Sequence, residues 1–195
     1  MFLKLTEAQK VDPTVTQEAI DALEQTVRGM TNNHFHVEAT KRHFVGLFGL
    51  AFKDADIVLP NIDGKPTAGA ADFVRFLHVG DSLEVYGTGL NDGVYEVKEI
   101  NDATIKVRLP QYVEAFIEGD MQGSLVKVFY PADIAAGMLR LIGYDKTMSD
   151  KIGVKQETVS RLSVTYFDQL GTDTTEGYPT AYMSFLIKYR RIKWA

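Results

Sequence analysis

Ile20, Leu23, Val27 and Met30 follow one another at spacings of three, four and three, the apolar stripe of a helix. Thr14 with Gln17 has the spacing of a capping box and Pro13 stands just before it, so a helix is expected from about Thr14 to Met30. The TNN that follows supplies helix-stopping residues. From His34 to Lys53 two patterns compete: Phe44, Leu47, Phe48 and Phe52 are helix-spaced, whereas Gly46 and Gly49 oppose a helix.

From about Asp56 to Tyr130 the period shortens. The runs DIVLP, DSLEVYG, GVYEVKEI, TIKVRL and SLVKVFY alternate or stay apolar and are rich in β-branched and aromatic residues, which predicts strands. Asn91-Asp92-Gly93 and Asn101-Asp102 fall between them as turn residues. At Pro131 the helical period returns: PADIAAGMLRLIGY sets Ile134, Met138, Leu141 and Ile142 on one face, with Pro131 and Asp133 at the front, where both are favoured. ETVSRLSVTYFD reads as extended and QLGTDTTEG as a polar loop. A last helix starts at Pro179 and stacks Tyr182, Phe185 and Leu186, with Tyr189, as its core face.

These alternations predict an α+β fold. A small helical bundle, residues 1–54 and 131–195, is interrupted by an inserted antiparallel β-barrel or sandwich-like domain, residues 55–130.

Composition narrows the function. No window reaches the roughly 18 apolar residues of a membrane span, and MFLKLTEAQK lacks a signal-peptide core, so neither membrane insertion nor export is expected. The chain has no cysteine, which removes disulfides, thiolate metal sites and cysteine nucleophiles together. The net charge is −5, yet Gly177 to Ala195 contains no acid and carries Lys188, Arg190, Arg191 and Lys193, which leaves −9 on the rest. An acidic body is a poor nucleic-acid surface, whereas the short basic tail suits an acidic partner or a phosphate backbone. In YRRIKWA, Ile192 and Trp194 alternate with Arg191 and Lys193, the pattern of an extended arm that lays apolar side chains into a groove. Tryptophan and arginine are frequent interface anchors.

Nothing in the chain asks for catalysis or a cofactor. No nucleophile elbow, P-loop, Rossmann glycine run or HExxH is present, and YGTGLNDG reads as a hairpin turn. Paired acids such as Asp54 with Asp56, or Glu114 with Glu118, read as solvated surface. His34 and His36 would share a face of an extended segment, with His43 as a possible third metal ligand. No carboxylate or cysteine motif supports them, so they read as loop histidines and no metal is expected. Glu84, Glu96 and Glu99 against Lys98, Lys106 and Arg108 give the strands a mixed charge, which suits a structural or protein-contact role.

Several stretches, in this order, resemble the head–tail connector (adaptor) proteins of long-tailed bacteriophages. TVRGMTNNHF resembles the end of their first helix and PADIAAGMLRLIGY their second main helix. SRLSVTYFD, a polar loop and GYPTAYMSFLIKYRRIKW are similar to their C-terminal pattern, and GDSLEVYGTGLNDGVYEVKEI to a β-insert that some members carry. The match is loose over the N-terminal third and good over residues 131–195. The resemblance implies a non-enzymatic virion subunit of the phage neck, made in the bacterial host cytoplasm. It implies a homo-oligomeric, usually dodecameric, ring beneath the portal protein, extending the DNA channel and carrying the stopper or tail-completion protein. DNA would pass through the lumen without specific binding. It also implies that Tyr189, Arg190, Arg191, Ile192, Lys193 and Trp194 form a portal-docking tail. The insert, about 75 residues long, is the departure from the family pattern. The rival readings are a nucleic-acid-binding protein that uses the basic tail and the barrel, and another head or tail completion protein.

Overall fold

The computed structural model describes residues 3–45, 49–149, 156–159, 162–165 and 174–192. Among these are five α-helices: α1 (Leu5–Val11), α2 (Gln17–Thr31), α3 (Ala68–Val74), α4 (Ala132–Met148) and α5 (Thr180–Met183). The chain divides into two compact units, one of residues 34–129, the other of residues 3–33 and 130–195.

The first unit is built on strands β1 (Arg42–Phe44), β2 (Leu50–Lys53), β3 (Asp56–Val58), β6 (Ser82–Tyr86), β7 (Gly93–Asn101), β8 (Thr104–Arg108), β9 (Gly119–Met121) and β10 (Gly123–Val128). All eight pair antiparallel in the order β1-β10-β6-β7-β8-β3-β2-β9. The two ends of that order meet: β1 pairs with β10 and β2 with β9, and Gln122 alone separates β9 from β10. The ladder therefore returns on itself. Inside it, Leu50, Phe52, Ile57, Leu83, Val85, Val97, Ile105 and Leu125 form one buried cluster, capped by Phe73 of α3. A minor hairpin, β4 (Asn61–Ile62) with β5 (Lys65–Pro66), leads into α3.

This corrects the expected architecture. The eight-stranded sheet dominates the core, and the protein is not a helical bundle that carries an insert. The reason lies in residues 34–53. Leu50 and Phe52 alternate into the sheet core, and the helical spacing of Phe44 and Phe52 is incidental to two short strands. By contacts, the sheet unit begins at His34. Helix α3 breaks what reads as an unbroken β region, because Ala70, Phe73 and Leu77 recur at helical spacing.

In the second unit, α2 begins two residues later than the capping-box spacing suggests. Thr16 is its N-cap and accepts from the Ala19 N–H, while Thr14 bonds to Asp12. Asn32 ends the helix in the left-handed conformation. Ile20 and Val27 are buried along α2, and Ile134, Met138, Leu141 and Ile142 along α4. β11 (Gln156–Val159) and β12 (Leu162–Thr165) form one hairpin. β13 (Thr174–Thr175) and β14 (Tyr178–Pro179) form another, turned by Glu176 and Gly177 at positive φ. Tyr166, near the end of that extended run, lies outside the described residues.

Candidate functional site

The C-terminal segment leaves α5 as a run of 3-10 helix, Ser184–Tyr189, and then becomes extended at Arg190. Its packing face is Met183 and Leu186, both buried. Phe185 is half-buried against Gly137 of α4, where a Cβ would stand 2.4 Å from the ring, so only glycine admits the ring at this position. The Arg140 guanidinium lies 5.7 Å from the same ring. Tyr182, expected in the core, is 40% exposed and sets its ring 5.0 Å from that of Tyr144.

The base of the tail is fixed by polar ties. The Tyr189 hydroxyl donates to Asp133 Oδ1 at 2.6 Å, and Lys188 forms an ion pair with the same carboxylate. The Tyr189 carbonyl accepts from the Asn33 side-chain amide at 3.2 Å. The Arg191 N–H donates to the Thr31 carbonyl at 2.8 Å, one of the acceptors that a helix end leaves without an intrahelical donor. Lys188 and then Tyr189 hold the Asp133 carboxyl below the usual carboxylate range. The same contact with Asp133 raises both the Lys188 ammonium and the Tyr189 phenol. Beyond this base Arg190 and Arg191 are exposed, and Ile192 is 75% exposed. Lys193 and Trp194 lie outside the described residues.

The structure also brings two of the three clustered histidines together. The segment from His34 runs beside β10, with the Phe129 N–H donating to the Phe35 carbonyl and His36 bridged to Val128. His34 Nδ1 lies 3.0 Å from Glu84 Oε1, and His36 Nε2 lies 2.7 Å from Glu84 Oε2. Glu84 belongs to β6 and is buried on the face that points away from the sheet core. His43 stands apart from this group: its Nδ1 is 2.6 Å from Ser124 Oγ and its ring meets Tyr86 edge-on.

A cavity of about 370 Å³ opens between α2 and α4, lined by Val15, Ala19, Leu23, Ile142, Asp145 and Tyr178 among others. Burial raises the Asp145 carboxyl, and the Tyr178 hydroxyl donates to it at 2.6 Å. The acid pairs read as surface remain unconnected to any of these sites.

Two participants were hidden in the sequence. Asp133 reads there as a favourable helix N-terminal acid, and only the fold sets it against Lys188 and Tyr189. Glu84 reads as one charge on a mixed strand face, and its histidine partners are 48 and 50 residues away. The alternation of β6, which aims Leu83 and Val85 inward, could have marked Glu84 as facing outward. It could not have named what covers it. No model of a known protein family and no curated protein matches the chain.

Proposed function

We propose that the protein is a structural subunit of a bacteriophage neck, a head–tail connector that forms a ring beneath the portal and docks on it through Tyr189 to Trp194. The observation that supports this most is the contrast along the tail. Its base is tied to Thr31, Asn33 and Asp133, while Arg190, Arg191 and Ile192 project without burial. An arm with a fixed base loses less conformational freedom on docking than a floppy one. Burying an isoleucine or tryptophan stabilises a contact by roughly 1.5–3 kcal/mol, and repetition round a ring multiplies it. The mostly acidic body fits a channel that lets DNA slide, since it repels phosphate. In this reading the ring extends the DNA channel and offers a platform to the stopper or tail-completion protein.

The test is co-sedimentation with the parent phage's purified portal, comparing the full chain with one ending at Tyr189 at low and moderate salt. Binding of the full chain at both salts, lost on truncation, is the expected result. Failure to bind the portal, with DNA binding at low salt only, replaces this reading with a nucleic-acid-binding one. Phosphate contacts weaken steeply with salt, whereas apolar docking does not.

A further inference from the structure

We propose that His34, His36 and Glu84 form a binding site for a single divalent transition-metal ion of the zinc class. The three ligand atoms lie within 4.8 Å of one another. Two imidazoles and one carboxylate make a donor set that suits zinc and its neighbours, which such ligands hold at about 2.0–2.2 Å. Tetrahedral ligands at those lengths stand about 3.3 Å apart. Here His34 and His36 lie 3.0 and 2.7 Å from the two different oxygens of Glu84, and all the ligand atoms lie within 4.8 Å, so an ion is admitted once the imidazoles and the carboxylate shift to surround it.

The surroundings fit such a site. The Glu84 and His36 side chains retain only 9% and 15% of their exposure, while that of His34 retains 61%. Two ligands are therefore anchored in the fold, and the third closes the site from the solvent side. Three protein ligands would leave a tetrahedral ion one further position for another ligand. The chain is bent to make it. Phe35, between the two histidines, is buried and held at φ 56°, a conformation that an aromatic residue rarely adopts. The His36 ring stacks on Tyr86 at 5.7 Å, which fixes its orientation. His36 is thus presented as a rigid ligand.

Metal binding exchanges the two histidine–carboxylate hydrogen bonds for coordination. The protons that Nδ1 of His34 and Nε2 of His36 share with Glu84 are released or moved to the other ring nitrogen, and both lone pairs then face the ion. No electron transfer is involved. This site is independent of the tail, and it stands or falls apart from the portal reading.

The experiment is a titration of the metal-free full chain with Co²⁺, read by visible absorption, followed by displacement with Zn²⁺. His34→Ala tests an exposed ligand that the fold tolerates losing. Glu84→Gln keeps the shape of the buried one but replaces one of its two acceptor oxygens with an amide donor, and His36→Ala completes the set. One ion per chain is expected, with affinity weakened by about tenfold or more in each variant, given that even loss of a supporting contact weakens such sites about 10–100-fold. His43→Ala and His78→Ala should leave it unchanged. A spectrum showing no bound ion, or affinity that survives His34→Ala and Glu84→Gln, overturns the proposal. So would loss of the site with His43→Ala alone.

Discussion

The two units of this protein both join an apolar core to polar ties, and differ in what those ties hold. In the sheet unit, buried apolar side chains from all round the ladder form the core, Phe73 of α3 among them, and polar ties such as Glu84 with His34 and His36, and Asp81 with Lys127, join segments of the same unit. In the helical unit the apolar residues of α2 and α4 are supplemented by polar ties at named points. Glu24 meets Tyr130, Asp145 meets Tyr178, and Asp133 meets both Lys188 and Tyr189. Apolar burial is non-directional and fixes a fold without fixing any one side chain. Charged hydrogen bonds are directional, so they can set where a segment leaves the surface. In the sheet unit such ties join segments within the ladder, whereas in the helical unit they set where the C-terminal arm leaves.

The sharpest way to break that contrast is Phe73→Ala. Truncating a fully buried phenylalanine leaves a cavity and costs about 3–5 kcal/mol. The loss should be read from faster amide exchange in β6, β7 and β8, since a protein of two units need not unfold in one step. A cost below about 1 kcal/mol would mean that the sheet core collapses around the gap. Phe73 would then contribute little to it.

Much of this architecture was legible. The strands β6, β7, β8 and β10 announce themselves through alternation, and α2 and α4 through their stripes. That residues 34–53 favour neither pattern has a physical cause. Strands of three and four residues are too short to establish a period, and Gly46 and Gly49 are as compatible with a bend between strands as with a loop. Helix α3 was hidden for the same reason: seven residues make barely two turns. The site was legible only on one side. The basic, acid-free tail is visible in composition, but Asp133 and Asn33, which fix its base, are set against it by tertiary packing alone. Similarly, His34 and His36 could be paired by spacing, whereas Glu84 comes from another strand.

A smaller effect is expected where the helical unit relies on polar ties. Tyr189→Phe removes the hydroxyl that donates to Asp133 but keeps the ring and leaves Lys188 in place. A hydrogen bond to a charged group contributes about 1.5–3 kcal/mol when well shielded, and solvent screening at this surface position brings that to about 1 kcal/mol or less. Local order is the better readout than global stability. The Arg191 amide, which donates to Thr31, should exchange faster in the variant. Unchanged exchange would show that Asn33 and the buried Leu186 alone hold the arm's base, and the contrast between the units would shrink.

The subtlest difference is one of pH. Burial of Glu24 raises its carboxyl above the ordinary value of 4.5, against the pull of the Tyr130 hydroxyl that donates to it at 2.5 Å and of Arg28. A carboxyl raised by folding binds its proton more tightly in the native state than in the unfolded chain. Its contribution to stability is therefore fully present below pH 4.5 and is lost as pH rises through the raised native value. Glu24→Gln does not titrate and can still accept from Tyr130. Relative to the natural chain it should gain stability progressively above pH 4.5 and level off once Glu24 is ionised. Denaturant unfolding at a series of pH values measures this difference directly. If Glu24→Gln instead loses stability at neutral pH, the ionised carboxylate is held by Arg28 and Tyr130 strongly enough to outweigh its burial. The polar ties of the helical unit would then be stronger than desolvation allows here.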